Sequence, residues 1–150
     1  MNTDSDYKGK PAVRIGLTVR WGDCDAAGIA YYVKCFDWFT DGRIALLESV
    51  GLPYMSSFHN SGIEIVVVDA FCRYRSSLRP MDKIYLETSI ATLARTRITF
   101  SYRIFKEDNT VAAEGSTNHA FVDDRGKPFN MAKRNPALWE EVTQKTAGYV

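Results

Sequence analysis

The sequence predicts an α+β fold in which one long helix is combined with an antiparallel sheet of five strands. The first apolar segment alternates with polar residues at every second position, which is typical of a strand with one buried face. The next segment changes to apolar spacings of three to five residues, as an amphipathic helix requires. Further alternating segments then follow one another without a helix between them. This order indicates an antiparallel arrangement, because a parallel sheet needs strands and helices in alternation.

The first strand and the long helix are separated by a turn that contains glycine. Apolar and polar side chains alternate over residues 13–21, where the first strand is expected. Helical spacing begins at Tyr32 and continues to Val50, and Gly51 marks the end of the helix. Gly42 lies inside this helix, where glycine costs about 1 kcal/mol relative to alanine. Its presence indicates that another part of the chain packs closely against the helix backbone.

The remaining elements follow from alternation and from turn-forming residues. After a loop over residues 56–62, a second strand begins at the apolar run 65–68 and continues to Arg75. A short tail helix is expected to begin at Pro136, because proline is favourable in the first turn of a helix. The third, fourth and fifth strands are expected over residues 83–90, 98–105 and 111–122, with turns at residues 78–82 and 107–109.

Length and composition indicate a single domain over residues 1–150. Hydrophobic residues make up 45% of the chain and charged residues 25%, as in soluble globular proteins. Residues 1–10 are polar and rich in turn formers, so they are predicted to be a loose leader. The formal net charge of +1 provides no general attraction to nucleic acid, and no nucleic-acid partner is expected.

The cysteine content and the apolar runs predict a cytoplasmic protein without a membrane partner. The chain has three cysteines, which cannot all pair, and no apolar signal segment precedes the first strand. Charged residues interrupt each apolar run before it reaches the length of a membrane span.

The segment that joins the first strand to the long helix carries the main functional signal. It reads WGDCDAAGIAYY over residues 21–32 and contains the carboxylates Asp23 and Asp25. A carboxylate just outside a helix N-terminus lies beside backbone N–H groups that lack intrahelical partners. Together they can attack a carbonyl group and stabilise the resulting oxyanion, although aspartates at such positions often only form turns or caps. The segment predicts a site that cleaves thioesters.

Residues 22–29 read GDCDAAGI and are followed by Tyr31 and Tyr32. This pattern resembles the signature GDCDPAGI of the 4-hydroxybenzoyl-CoA thioesterase family, in which an aromatic pair also follows. The resemblance implies the hotdog fold, in which a long central helix is wrapped by a curved antiparallel five-stranded sheet. It also implies a homodimer or a homotetramer, with the active site between subunits. Ala26 replaces the usual proline, a change that removes no reactive group.

The resemblance assigns catalytic roles within this segment. It implies that Asp25 is the catalytic carboxylate, whereas Asp23 is a structural turn residue. It further implies that backbone N–H groups near Tyr32 form the oxyanion hole, and the Tyr32 side chain is expected to pack in the core. Asp25 either attacks the thioester to form a mixed anhydride or deprotonates an attacking water, and the resemblance favours direct attack. A general acid is not required, because a thiol with a parent pKa near ~8.5 is a good leaving group.

The resemblance also indicates where the coenzyme A thioester binds. It implies that Gly28, Arg95 and Arg97 contact the substrate, with the two arginines meeting the nucleotide phosphates. Lys133 and Arg134 are weaker candidates for the same contact, and a surface arginine is often only solvated.

Other functional groups in the sequence give no sign of a cofactor. His59 and His119 have no second ligand at a metal-binding spacing, so neither a metal nor another cofactor is expected. His119 is expected to be a sheet residue with its hydrogen bonds satisfied. Cys24 has no local histidine partner that would activate a thiol, and it is interpreted as a small buried side chain.

Three alternative functions compete with the thioesterase interpretation. Paired aspartates also occur in haloacid dehalogenase-type phosphatases, but there they follow a continuous apolar strand, whereas the first strand here alternates. A non-catalytic acyl-CoA binding module on the same fold remains open, because fold does not determine activity. A hotdog hydratase requires a histidine and an acidic residue in a pairing that is not evident. An aryl or hydroxybenzoyl-type acyl group is expected, although the aromatic residues that would surround it serve equally well as core.

Overall fold

The computed structural model of the protein describes residues 11–150, so the predicted leader over residues 1–10 lies outside the described part. The elements are β1 (Val13–Thr18), α1 (Lys34–Ser49), α2 (Tyr54–Ser57), β2 (Glu64–Tyr74), β3 (Lys83–Leu93), β4 (Arg97–Lys106), β5 (Val111–Val122), α3 (Met131–Arg134) and α4 (Pro136–Thr146). Short 3-10 turns occur at Trp21–Asp23, His59–Ser61 and Ala147–Tyr149.

The strands form one sheet in the order β1-β3-β4-β5-β2, and every neighbouring pair is antiparallel. β1 and β2 are therefore the two edge strands. The α+β class is confirmed, and the sheet with one long helix against it is the hotdog arrangement that the resemblance implied. None of the helices within residues 11–150 has both the length and the apolar character needed to cross a membrane.

Helix α1 packs tightly against the middle of the sheet. Phe39 is fully buried and stacks on the Tyr102 ring of β4, with 4.2 Å between the ring centroids. At Gly42 an added Cβ atom would lie 2.3 Å from Thr88 Oγ1 and 2.6 Å from Leu86 Cδ2, both on β3. The close approach predicted from Gly42 is therefore confirmed. Contact across these positions fixes the distance of α1 from the sheet, and so fixes where its N-terminus lies.

Most element bounds agree with the sequence prediction, and the difference that affects the site is at the end of β1. The strand predicted over residues 13–21 ends at Thr18, and Trp21 lies in a 3-10 turn with 74% of its surface exposed. The chain bends there because the Asp23 side chain accepts a hydrogen bond from the Arg20 N–H at 2.9 Å. The loop predicted over residues 56–62 contains a short helical turn at each end. The predicted bounds of β5 and the predicted start of α4 are confirmed.

Candidate active site

Asp23 holds the turn between β1 and α1 in place. Only 3% of its surface is exposed, and its Oδ1 atom lies 3.6 Å from both Arg20 Nη2 and Lys34 Nζ. Its carbonyl oxygen accepts a hydrogen bond from the Tyr31 N–H at 2.8 Å. Burial opposes ionisation, but the Arg20 N–H and the Arg20 and Lys34 charges outweigh it and hold the pKa of Asp23 below its usual value. The contacts of Asp23 with both ends of the turn are those of a structural residue.

Asp25 lies two residues further along, on the exposed side of a tight loop. Its Oδ1 atom accepts a hydrogen bond from the Ala27 N–H at 2.9 Å, while its own N–H donates to the Ile29 carbonyl oxygen at 2.9 Å. Gly28 closes the loop with φ +74°, a left-handed conformation that favours glycine. These bonds orient the carboxylate through Oδ1 and leave Oδ2 without a hydrogen bond in the described part of the chain.

The N-terminus of α1 provides free backbone donors close to this loop. The helix begins at Lys34, and the Lys34 N–H donates to the Tyr31 carbonyl oxygen at 2.9 Å. Among residues 11–150, the Tyr32 and Val33 N–H groups donate no hydrogen bond to another residue. The Tyr32 side chain is 59% exposed, so the prediction that it packs in the core is wrong. Tyr32 precedes the helix and therefore does not belong to the buried helix face.

Asp25 and Tyr32 line the same cavity, which has a volume of about 320 Å³. Its walls are formed by the loop after β1, the start of α1, the chain that leaves β2, and β5. The lining residues outside the β1–α1 connection are mostly small or apolar, but they include two serines. They are Cys35, Tyr74, Arg75, Ser76, Ser77, Leu78, Ala112 and Ala113. The structure thus brings together a carboxylate, unused N–H groups just before α1 and a cavity of a size that binds small ligands.

The three predicted substrate-binding residues do not line this cavity. Gly28 belongs to the Asp25 loop, and an added Cβ atom there would lie 4.0 Å from Arg79 Nη1. Arg95 and Arg97 are exposed at the other end of β3, whose 11 residues separate them from the site by roughly 35 Å along the strand. The Met131 N–H donates to the Arg95 carbonyl oxygen at 2.8 Å, so α3 lies at that same distant end.

The end of β2 contributes side chains that the sequence analysis missed as site residues. Arg75 lines the cavity while remaining exposed to solvent, and its Nε atom donates to Glu114 Oε1 at 3.0 Å. Tyr74 donates a hydrogen bond from its hydroxyl group to the Tyr32 carbonyl oxygen. Ser76 and Ser77 directly follow the strand. The run of polar residues just after a predicted strand was the sequence feature that could have indicated a site here. Their proximity to Asp25, however, depends on contacts between residues far apart in the sequence.

The Tyr74 hydroxyl group connects β2 to the turn that carries the free N–H groups. We predict that Tyr74→Phe lowers kcat for the reaction proposed below by about threefold to tenfold, since one hydrogen bond contributes about 0.5–1.5 kcal/mol. Steady-state kinetics would measure this effect. The control is Tyr85→Phe, which removes a phenol hydroxyl from a part-exposed tyrosine on β3. Equal kinetics for Tyr74→Phe, Tyr85→Phe and wild type would contradict a positioning role for Tyr74.

The remaining reactive groups give little support for thiol or metal chemistry. Cys24 is half-buried, and this burial together with the Asp23 and Asp25 charges raises the pKa of its thiol. His119 is fully buried, and its Nε2 atom lies 2.7 Å from Thr117 Oγ1. Burial and then the Arg43 charge lower the pKa of His119 to about 4, so its ring is neutral at pH 7. Residues 11–150 contain no group of three histidine, cysteine or acidic residues that could hold a metal ion.

A family model described as the thioesterase-like superfamily matches residues 19–146. A protein of Aquifex aeolicus, described as a presumed esterase, is 35% identical over 115 residues, which are 77% of this chain and 88% of that protein. A 1,4-dihydroxy-2-naphthoyl-CoA hydrolase of Rippkaea orientalis is 22% identical over 131 residues, which are 86% of this chain and 95% of the hydrolase. Among solved structures, a DHNA-CoA thioesterase from Staphylococcus aureus superposes with a TM-score of 0.83 at 23% identity, covering 91% of both chains.

Proposed function

The chain belongs to the thioesterase-like superfamily, and from this premise we propose that it hydrolyses an acyl-coenzyme A thioester with Asp25 as the catalytic carboxylate. The observation that supports this proposal best is the cavity shared by Asp25 and Tyr32. An acyl carbonyl group inside it would meet an Asp25 carboxylate oxygen and the Tyr32 N–H group. Membership of the 4-hydroxybenzoyl-CoA branch of the superfamily remains part of the proposal.

The chemistry follows from the different surroundings of the two Asp25 oxygens. Oδ1 is held by the Ala27 N–H, so Oδ2 is the oxygen available to the substrate. In the direct route, Oδ2 bonds to the acyl carbon, the carbon–sulfur bond breaks, and coenzyme A leaves as a thiolate. Water then hydrolyses the mixed anhydride, which releases the carboxylic acid and restores the Asp25 carboxylate. In the alternative route, Asp25 takes a proton from the water that attacks the acyl carbon. The carbon–sulfur bond then breaks, coenzyme A leaves as a thiolate, and the proton on Asp25 passes to that thiolate or to water.

The negative charge that develops on the acyl oxygen needs donors that are already in place. We assign this role to the Tyr32 N–H, with the adjacent Val33 N–H as a second donor, because neither has another partner in the described chain. Donors that are fixed before the reaction stabilise an oxyanion without a cost of reorganisation. The positive end of the α1 dipole has the same effect.

An aryl acyl group is the substrate class we propose. The relative from Rippkaea orientalis is named for a substrate with a bicyclic aromatic acyl group. The similarity to that relative covers 86% of the present chain. Ile29, Leu78 and Ala113 give the cavity apolar walls against which a flat ring can pack. A hydroxybenzoyl-type group and a larger dihydroxynaphthoyl-type group both belong to this class.

We propose that the protein works as a homodimer or as a dimer of dimers. Edge strand β2 exposes the large apolar side chains of Val67, Val68 and Phe71, together with an unpaired edge of backbone groups. Pairing β2 with a second copy would cover both. If Arg95 and Arg97 contact coenzyme A phosphates as predicted, their distance from Asp25 within one chain means that they serve a site on another subunit.

A substrate screen tests the proposed function. The wild-type protein is mixed with benzoyl-, hydroxybenzoyl-, dihydroxynaphthoyl- and straight-chain acyl-CoA, and a thiol-reactive dye measures the free coenzyme A released. We expect turnover with at least one aryl-CoA. Binding of acyl-CoA without release of free thiol would instead support the non-catalytic binding module. Turnover of straight-chain substrates alone would refute the aryl class and retain the hydrolase.

A further inference from the structure

Two cysteines form a pair of thiols beside the Asp25 cavity. Cys35 lies in the first turn of α1, is buried and lines the cavity, whereas Cys72 lies on β2 and is half-buried. Both are free thiols, and a hydrogen bond joins their side chains. We call them the Cys35–Cys72 pair. The thioester chemistry proposed above uses neither sulfur atom, so the pair is available for another function.

The contact between the two thiols follows from the packing of α1 on the sheet. Phe39 lies one helical turn after Cys35, and therefore on the same face of α1. The Phe39 ring approaches β5 at Gly115, where an added Cβ atom would lie 2.7 Å from Phe39 Cε2. Gly115 is paired with Cys72 in the antiparallel register of β5 and β2. The close contact at Phe39 thus holds Cys35 next to Cys72.

The pair is connected to the turn that carries the free N–H groups. Side chains at alternate positions of a strand lie on one face, so Cys72 and Tyr74 both face α1. The Tyr74 hydroxyl, which donates to the Tyr32 carbonyl oxygen, is also within hydrogen-bond reach of the Cys72 sulfur. Val33 lies only two positions before Cys35. A change at either sulfur therefore reaches the N–H groups of Tyr32 and Val33 directly.

The hydrogen bond makes the two thiols chemically unequal. The Cys35 S–H donates to the Cys72 sulfur, and this bond together with burial raises the pKa of Cys35. The same bond lowers the pKa of Cys72, although burial opposes the change. The thiolate is the form of cysteine that attacks oxidants. Cys72 is therefore the sulfur that reacts first, and Cys35 is placed to react with the oxidised Cys72.

We propose that the Cys35–Cys72 pair is an oxidation site, which a peroxide converts into a reversible disulfide that distorts the Asp25 site and lowers its activity. In the first step the Cys72 thiolate attacks hydrogen peroxide, the O–O bond breaks, and a sulfenic acid and hydroxide form. The Cys35 sulfur then attacks the Cys72 sulfur, and the S–O bond breaks. The hydroxyl group leaves as water with the Cys35 proton. The two sulfurs lose two electrons in total, and the peroxide gains them.

Closure of the disulfide requires the first turn of α1 to move. A disulfide holds its sulfur atoms about 2.05 Å apart, closer than two thiols that share a hydrogen bond. The body of α1 cannot follow, because Phe39 and Gly42 already lie against the sheet. The movement therefore falls on residues 32–35, where a displacement of about 1 Å can lower the rate about 100-fold. This effect on the rate rests on the proposed function, whereas formation of the disulfide does not.

Oxidation of the Cys24→Ser variant with hydrogen peroxide tests the proposal, because this variant contains only the two paired thiols. The expected product is about 2 Da lighter than the reduced protein, since two hydrogen atoms are lost. Trypsin cleaves after Lys34, Arg43 and Arg73, so the paired cysteines lie on separate peptides that the disulfide links. We expect kcat with the best acyl-CoA to fall about tenfold or more. Dithiothreitol should restore both the mass and kcat.

The matched control adds Cys72→Ser to the same variant, which removes the attacking sulfur and nearly preserves its size. Peroxide should leave the kcat of this control equal to its own untreated value. Each protein is compared with itself, because the substitution alone also removes the sulfur beside Tyr74. An equal loss of kcat in the control would show that peroxide acts through another residue. If the control unfolds, as a thermal melt would reveal, Cys72→Ala provides the same comparison.

Two results would overturn the proposal. One is the absence of a linked peptide after peroxide treatment, and the other is a linked peptide with unchanged kcat. If the untreated protein hydrolyses no acyl-CoA, the proposed function fails, but mass and peptides still report the disulfide. The amide chemical shifts of Tyr32 and Val33 in NMR spectra then replace kcat. Shifts that stay unchanged on oxidation would refute the distortion of the site.

Discussion

Replacement of Asp25 by asparagine is expected to lower kcat for thioester hydrolysis by about 100-fold to 10,000-fold, with little change in Tm. Both routes require a carboxylate that can act as nucleophile or as base, and an amide does neither; a general base alone contributes a factor of this size. Asparagine keeps an Oδ1 atom that can accept the hydrogen bond from the Ala27 N–H, so the loop should retain its shape. The thiol-release assay on the best aryl-CoA measures the effect.

The matched control for this prediction is Asp41→Asn, the same chemical change at an exposed position of α1. It should leave both kcat and Tm near the wild-type values. A decrease in kcat for Asp25→Asn of less than tenfold, with normal folding, would show that another group performs the chemistry. A large decrease in Tm would instead mean that Asp25 is a structural residue like Asp23.

Replacement of Phe39 by alanine is expected to lower the free energy of unfolding by about 3–5 kcal/mol. The Phe39 ring is fully buried, stacks on Tyr102 and approaches Gly115, where an added Cβ would lie 2.7 Å from Phe39 Cε2. Loss of the ring leaves a cavity between α1 and two strands that the close helix–sheet contact at Gly42 prevents from collapsing. For a chain of this size the change corresponds to a decrease in Tm of about 10 °C.

Thermal and urea unfolding would measure this loss of stability, with two variants for comparison. Phe39→Leu retains most of the apolar volume and should cost less than about 1.5 kcal/mol. Thr40→Ala changes the next residue of α1, which is exposed, and should stay within about 0.5 kcal/mol of wild type. If Phe39→Ala were no less stable than Thr40→Ala, the packing of α1 on the sheet would be weaker than its geometry indicates.

Much of the fold could be predicted from the sequence because its signals are local. Alternation over residues 111–122 and proline at position 136 depend on the chemistry of adjacent residues, and both elements occur where they were expected. Gly42 is an unfavourable residue for a helix, so it also signalled the close contact with β3 without any knowledge of the partner. The local pattern failed at Trp21, where the Asp23 carboxylate bends the chain and ends the alternation.

The candidate site also has features that local sequence predicts and features that depend on long-range contacts. The sequence by itself determined a carboxylate turn before a helix, because Asp25, Gly28 and Tyr32 lie within eight positions of one another. Only the tertiary structure decided that Tyr74 and Arg75 face this turn, that Arg95 and Arg97 lie at the far end of the sheet, and that the Tyr32 side chain is exposed. The physical reason is that antiparallel pairing and helix packing bring together residues that are far apart along the chain. The local periodicity of the sequence does not determine which strand and helix ends lie next to each other.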